Sequence, residues 1–154
     1  MTLRYTGLPL EHFTALFGLD DNALAARNIR RLTADTRPGY PCRITMEDAE
    51  PGETLLLLAY EHQPAASPYR ASGPIFVRET ARKTYDSTAM PPVFRARQLS
   101  VRGYSDMGDI VVADVIDGDR AEALFARLLE RRDVAYLHVH NATRGCYAGR
   151  VDRT

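Results

Sequence analysis

Lysine is almost missing from this chain: Lys83 is the single one, and every other basic residue is an arginine. Guanidinium forks suit carboxylates and phosphates, but the same bias follows from a GC-rich genome, so by itself it assigns nothing. Net charge is missing as well, because twenty basic residues balance twenty acidic ones. A chain without a global field is not drawn onto nucleic acid or an anionic membrane, and neither is expected as a partner. Two cysteines, Cys42 and Cys146, are too few for a secreted disulfide scaffold and point to reduced thiols in the cytoplasm. Long apolar runs are absent: "LLLLAY" at 55–60 is strand-sized, far below the roughly 20 residues of a membrane span. The opening "MTLRYTGLPLEHFTALFGLDD" has no basic stretch before an apolar one, and Glu11 and His12 interrupt it, so it reads as mature sequence. No internal repeat, low-complexity run or interdomain linker is seen.

What is present is a globular composition, 45% hydrophobic and 26% charged over 154 residues. That is enough for one self-sufficient core, read as a single domain over 1–154; a homo-oligomer is compatible with it. Leu10, Phe13, Leu16 and Phe17 share a helical face in "PLEHFTALFG", and a second short helix, "NALAARN", follows Asp20 or Asp21 as its cap. "IRRLTAD" and "CRITM" read as brief strands. "TLLLLAYE" is an unbroken apolar run, hence a central strand buried on both faces, preceded by a Pro51-Gly52 turn. "IFVRE" is a further strand. "QLSVRGY" and "IVVADVI" form a hairpin turning at Gly108. The clearest helix covers 119–132, where Leu124, Phe125, Leu128 and Leu129 make an apolar stripe, with acids at its start and Arg131 and Arg132 at its end. The expected fold is α+β: a mostly antiparallel curved sheet, one main packed helix and two short N-terminal helices.

The chemistry concentrates in "YLHVHNATRGCYAGRVDR", 136–153. Along a strand, Tyr136, His138 and His140 share one side while Leu137 and Val139 occupy the other. With a five-residue loop, His140 pairs with Cys146 and the two are cross-strand neighbours. A one-residue change in loop length sends Cys146 to the Leu137 and Val139 face, and sequence leaves both registers open. In the first register Cys146 is nucleophile or redox thiol, His140 its base and His138 a second acid or base, with Asn141 and Arg144 orienting the imidazole or holding an anion. A metal site competes for the same residues, with His62, Cys42 or Cys146 completing the H-x-H pair. The sequence assigns no metal ligand or cofactor between these readings, and buried, hydrogen-bonded histidines are the plainer alternative.

Two other stretches add candidates. "YPCR" sets Cys42 beside Arg43, and "EHQPAASPYRASGP" offers His62, Tyr69, Arg70 and Ser72 for a carboxylate or phosphate.

"YPCRITMEDAEPGE", "YEHQPAASPYRASGPIFVRE" and "YLHVHNATRGCYAGRVDR" resemble the signature blocks of an uncharacterised bacterial family, domain of unknown function 1203. The resemblance runs from about Arg30 to the C-terminus and implies a bacterial, non-secreted, single-domain protein; no activity or residue role comes with it. The leading expectation is a small-molecule enzyme or binding protein for an anionic ligand, with a pocket formed by the 62–74 loop and the last hairpin. A non-catalytic structural or interaction domain is the rival.

Overall fold

The computed structural model describes residues 1–154 and has the expected α+β architecture, with its strands divided between two antiparallel sheets. The smaller sheet has three strands and the larger has six. Its strands are β1 (Leu3–Thr6), β5 (Asp86–Ser87), β6 (Gln98–Tyr104), β7 (Ile110–Asp117), β8 (Tyr136–Asn141) and β9 (Tyr147–Arg153), in the order β5-β1-β9-β8-β6-β7. The smaller joins β2 (Arg30–Thr33), β3 (Thr54–Gln63) and β4 (Ala71–Arg78), with β3 in the middle. The apolar run of β3 accounts for that position: Leu55 and Leu56 are fully buried and Leu58 nearly so. Pro74 lies in β4, an edge strand, where a missing backbone donor is tolerated. Residues 71–74 are therefore strand, not loop.

Three helices accompany the sheets: α1 (Asp21–Ala25), α2 (Pro92–Arg95) and α3 (Ala121–Leu129). Asp20 caps α1 by accepting the Ala23 N–H at 2.7 Å. The stripe of α3 is buried as its spacing predicts, and Leu124, Phe125, Leu128 and Leu129 share one core with Leu99, Val101, Leu137 and Val139. Each such side chain contributes about 1.5–3 kcal/mol by leaving water. The helix is entered through a 3-10 turn, Gly118–Arg120, and is shorter than the 119–132 span of its sequence pattern. No helix is long and apolar enough to cross a membrane.

Two local expectations are corrected. The Leu10 to Phe17 stretch is not one helix but two 3-10 turns, Leu10–His12 and Thr14–Leu16, because Phe13 between them has a non-helical backbone (φ −123°). Its ring is the one fully buried member of the supposed stripe. "CRITM" forms no strand: the Met46 N–H donates to the Cys42 carbonyl and the Cys42 N–H to that of Glu47, closing a tight turn that touches β4 through a single bridge at Phe76.

Candidate functional site

Strand β8 has both faces buried, and its two faces differ in kind. Leu137 and Val139 meet the α3 core, while His138 and His140, 4% and 1% exposed, point away from it. On β9 the partner of Val139 is Gly149 but that of His140 is Tyr147, leaving Ala148 as the extra residue of a bulge. The bulge sets Tyr147 against the histidines. Its ring lies edge-on to His138 and His140 at centroid distances of 5.1 and 5.7 Å.

The hairpin loop is one residue shorter than the one that would pair His140 with Cys146, which is the second of the two registers considered from sequence, yet Cys146 joins the groove rather than the core of Leu137 and Val139. The Asn141 N–H, not that of His140, donates to the Cys146 carbonyl, so the loop has four residues, and Arg150 stands opposite His138. No hydrogen bond joins Cys146 to His140. The Cys146 sulfur instead receives one from the Arg43 guanidinium at 3.1 Å and a longer one from Asn141 Nδ2 at 3.7 Å.

A third imidazole arrives from the other sheet. His62, near the end of β3, stacks on Tyr147 (5.2 Å, 7° between planes) and stands 5.0 Å from the His140 ring and 6.2 Å from that of His138. One nitrogen from each of the three lies within 4.8 Å of the others. His62 Nδ1, His138 Nδ1 and His140 Nε2 are buried and have no hydrogen-bond partner. His140 Nδ1 lies 2.8 Å from the Gly145 carbonyl. A carbonyl only accepts, so Nδ1 carries the proton and Nε2 the lone pair. Gly145 reaches this geometry at φ +81°, a conformation suited to glycine.

Burial and the surrounding guanidiniums keep all three imidazoles neutral. Desolvation pulls His140 down to about 4 against the Gly145 hydrogen bond, pulls His138 down further, and lowers His62, with Arg102 adding to each.

Beside the histidines a groove opens between the two sheets. One lobe, about 450 Å³, is lined by His62, His140, Tyr147, Arg102 and Ser72 among others; a second, about 770 Å³, by Tyr40, Arg97 and Asn141. The lobes share Arg43, Leu57, Phe76, Arg144 and Cys146, and neither is lined by an aspartate or glutamate. Arg97 is neutralised from behind by Asp48 at 2.6 Å. Arg43, 2% exposed, is held by the carbonyls of Tyr147 and Pro41, each at 2.6 Å, and has no carboxylate partner. Arg102 and Arg144 make no ion pair either. The groove is thus a cationic enclosure in a chain of zero net charge.

The candidates from sequence divide accordingly. His62, Ser72, Asn141, Arg144, Arg43, His140 and Cys146 line the groove, and His138 lies behind it in contact with Tyr147. Arg70 and Tyr69 line neither lobe: Arg70 is bound by both carboxylate oxygens of Glu61, and Tyr69 is exposed. Cys42 is 1% exposed in the core, its sulfur facing the backbone N–H groups of Thr45 and Arg78. Both cysteines are free. Arg102 and Tyr147 were not singled out from the sequence. A signal existed for Arg102, which alternates with Val101 and so faces away from α3, but only its pairing with His138 across β6 and β8 gives it a neighbour.

No curated protein and no solved structure is significantly similar to the chain. Residues 39–153, which include all three clustered histidines, Arg43, Arg102 and Cys146, match the family described as protein of unknown function (DUF1203), and the chain belongs to that family.

Proposed function

We propose that the groove binds a small anionic molecule, as enzyme or as binding protein. One observation carries the reading: three guanidiniums without carboxylate partners, Arg43, Arg102 and Arg144, border one cavity from which acidic side chains are excluded. Arginines left unpaired in a partly enclosed site gain most from a ligand that supplies the missing charge, since forked contacts to a carboxylate or phosphate are strong where water is scarce.

Thermal unfolding with inorganic phosphate, pyrophosphate and citrate tests this. At least one is expected to raise the melting temperature of the wild-type chain saturably. Arg102→Ala weakens that anion at least tenfold, about 1.4 kcal/mol, and Arg70→Ala, outside the groove, does not. Equal weakening by both variants, or no stabilisation by any anion, would sink the proposal in favour of a structural or interaction domain.

A second reading rests on the 3.1 Å contact of Arg43 with Cys146. The sulfur lines both lobes beside that guanidinium while Cys42 lines neither, which makes Cys146 the thiol available to a molecule in the groove. Alkylation of the folded protein by iodoacetamide, located by mass spectrometry, is expected at Cys146 and not at Cys42, and a stabilising anion slows it. Indifference of Cys146 to that anion would remove the thiol from the binding site.

A further inference from the structure

We infer that His62, His138 and His140 form a binding site for one divalent transition-metal ion, of the zinc or cobalt class. This deepens the anion-site reading by giving its floor a chemical centre. Three features point the same way, and they are independent of one another.

The first is convergence. Two of the imidazoles come from alternate positions of β8 and the third from the opposite sheet, yet their donor nitrogens gather within 4.8 Å. Chain neighbourhood explains the pair on β8 but not the arrival of His62. The second is the state of those nitrogens. His62 Nδ1, His138 Nδ1 and His140 Nε2 are all buried without a partner, and unpaired polar atoms deep in a protein are rare enough that one on each of three clustered rings calls for an ion or a water. The third is orientation. The Gly145 carbonyl takes the proton of His140 Nδ1, leaving Nε2 as a lone pair, the way a metal-bound histidine is commonly fixed by its other nitrogen. Tyr147, stacked on His62 and edge-on to the other two rings, holds the imidazoles in place.

The donor set also says which ions fit. Three neutral imidazoles without a carboxylate suit zinc, cobalt, nickel, copper or ferrous iron, and offer nothing to magnesium or calcium. Tetrahedral coordination at about 2.1 Å separates donors by about 3.4 Å, so the rings turn inward when the ion binds. Three protein ligands leave one position open, the arrangement of catalytic rather than structural zinc sites. His62 and His140 line the groove, as Arg102 does, so that position opens into the groove. An ion held only by neutral ligands keeps its full charge, and the anion bound by the arginines would compensate it.

Full-length protein freed of metal with a chelator is titrated with Co²⁺ and followed by its visible d–d absorption, then with Zn²⁺ by calorimetry. One equivalent is expected, with at least tenfold weaker binding in each of His62→Gln, His138→Gln and His140→Gln. His12→Ala, which removes the remaining histidine, should bind as the wild type does. If a histidine variant does not fold, X-ray absorption of the Zn²⁺-loaded wild-type chain decides without it, by counting imidazole ligands: three support the site and fewer overturn it. Absence of stoichiometric binding, or equal loss in His12→Ala, overturns it as well. Phosphate, pyrophosphate and citrate are applied to the same metal-free sample. An anion bound without metal leaves the groove reading standing alone, and metal bound without any anion does the reverse.

Discussion

The two faces of β8 are equally dry and yet opposite in design. Leu137 and Val139 are fully buried against Phe125 and its neighbours, and their burial is complete in itself. His138 and His140 are almost as buried, but each has a ring nitrogen with no partner, and the nearest charges are cationic. The helix side of the sheet is stabilised by what it excludes. The groove side gives up hydrogen bonds that a stability-driven sequence would make or replace with methyl groups. Unpaired buried polar atoms of this kind are characteristic of sites kept for a ligand.

The contrast can be broken most forcefully from the apolar side. Phe125→Ala is expected to cost about 3–5 kcal/mol in urea unfolding, the range for losing a buried aromatic ring; a loss under about 1 kcal/mol would mean that the α3 core does not dominate. Asp48→Asn comes next. Burial alone would push the Asp48 carboxyl up, but the hydrogen bonds and charge of Arg97 hold it below its ordinary value. A depressed carboxyl stabilises above its unfolded pKa, near 3.9, and that contribution fades as pH falls through the folded value. Wild type should therefore exceed Asp48→Asn by about 1–3 kcal/mol at pH 7, the gap closing below about pH 4. A gap that is constant with pH would dismiss the pair as the cause. Asp48→Asn also frees Arg97, so stronger anion binding in the groove should accompany the lost stability. Gly145→Ala should cost about 1–2 kcal/mol, because a Cβ meets the left-handed backbone although no neighbouring atom lies within 4 Å of it. Unchanged stability there would remove backbone strain from the account of His140.

Much of this contrast was legible in "YLHVHN". Period two assigns the histidines and the aliphatic residues to opposite faces, and the stripe of 119–132 names the element that covers the aliphatic side. The hairpin of β6 and β7 and the central place of β3 were legible for similar reasons, since both are local patterns. The register of β8 on β9 was not, because the bulge at Ala148 adds a residue that leaves no mark on alternation. Nor was the meeting of His62 with the last hairpin, which depends on how two sheets dock. Arg43 illustrates the same limit: its neighbours Tyr147 and Cys146 lie more than a hundred residues along the chain. Local periodicity fixes which way a side chain faces, and only tertiary packing decides what it faces.

The smallest expected effect is the most discriminating. His138 makes no hydrogen bond through either ring nitrogen and sits among the rings of Tyr104, Tyr136 and Tyr147, with centroids 4.9 to 5.2 Å away. If it were there for stability, its imidazole would be contributing aromatic packing that a phenyl ring of similar shape supplies as well, without an unpaired nitrogen. His138→Phe should accordingly change unfolding stability in metal-free protein by less than about 1.5 kcal/mol in either direction. The same variant should abolish stoichiometric Co²⁺ binding, because it removes one donor of three. A cost of about 3 kcal/mol or more without metal would instead show the imidazole to be structural, and the two faces of β8 would then differ in composition but not in purpose.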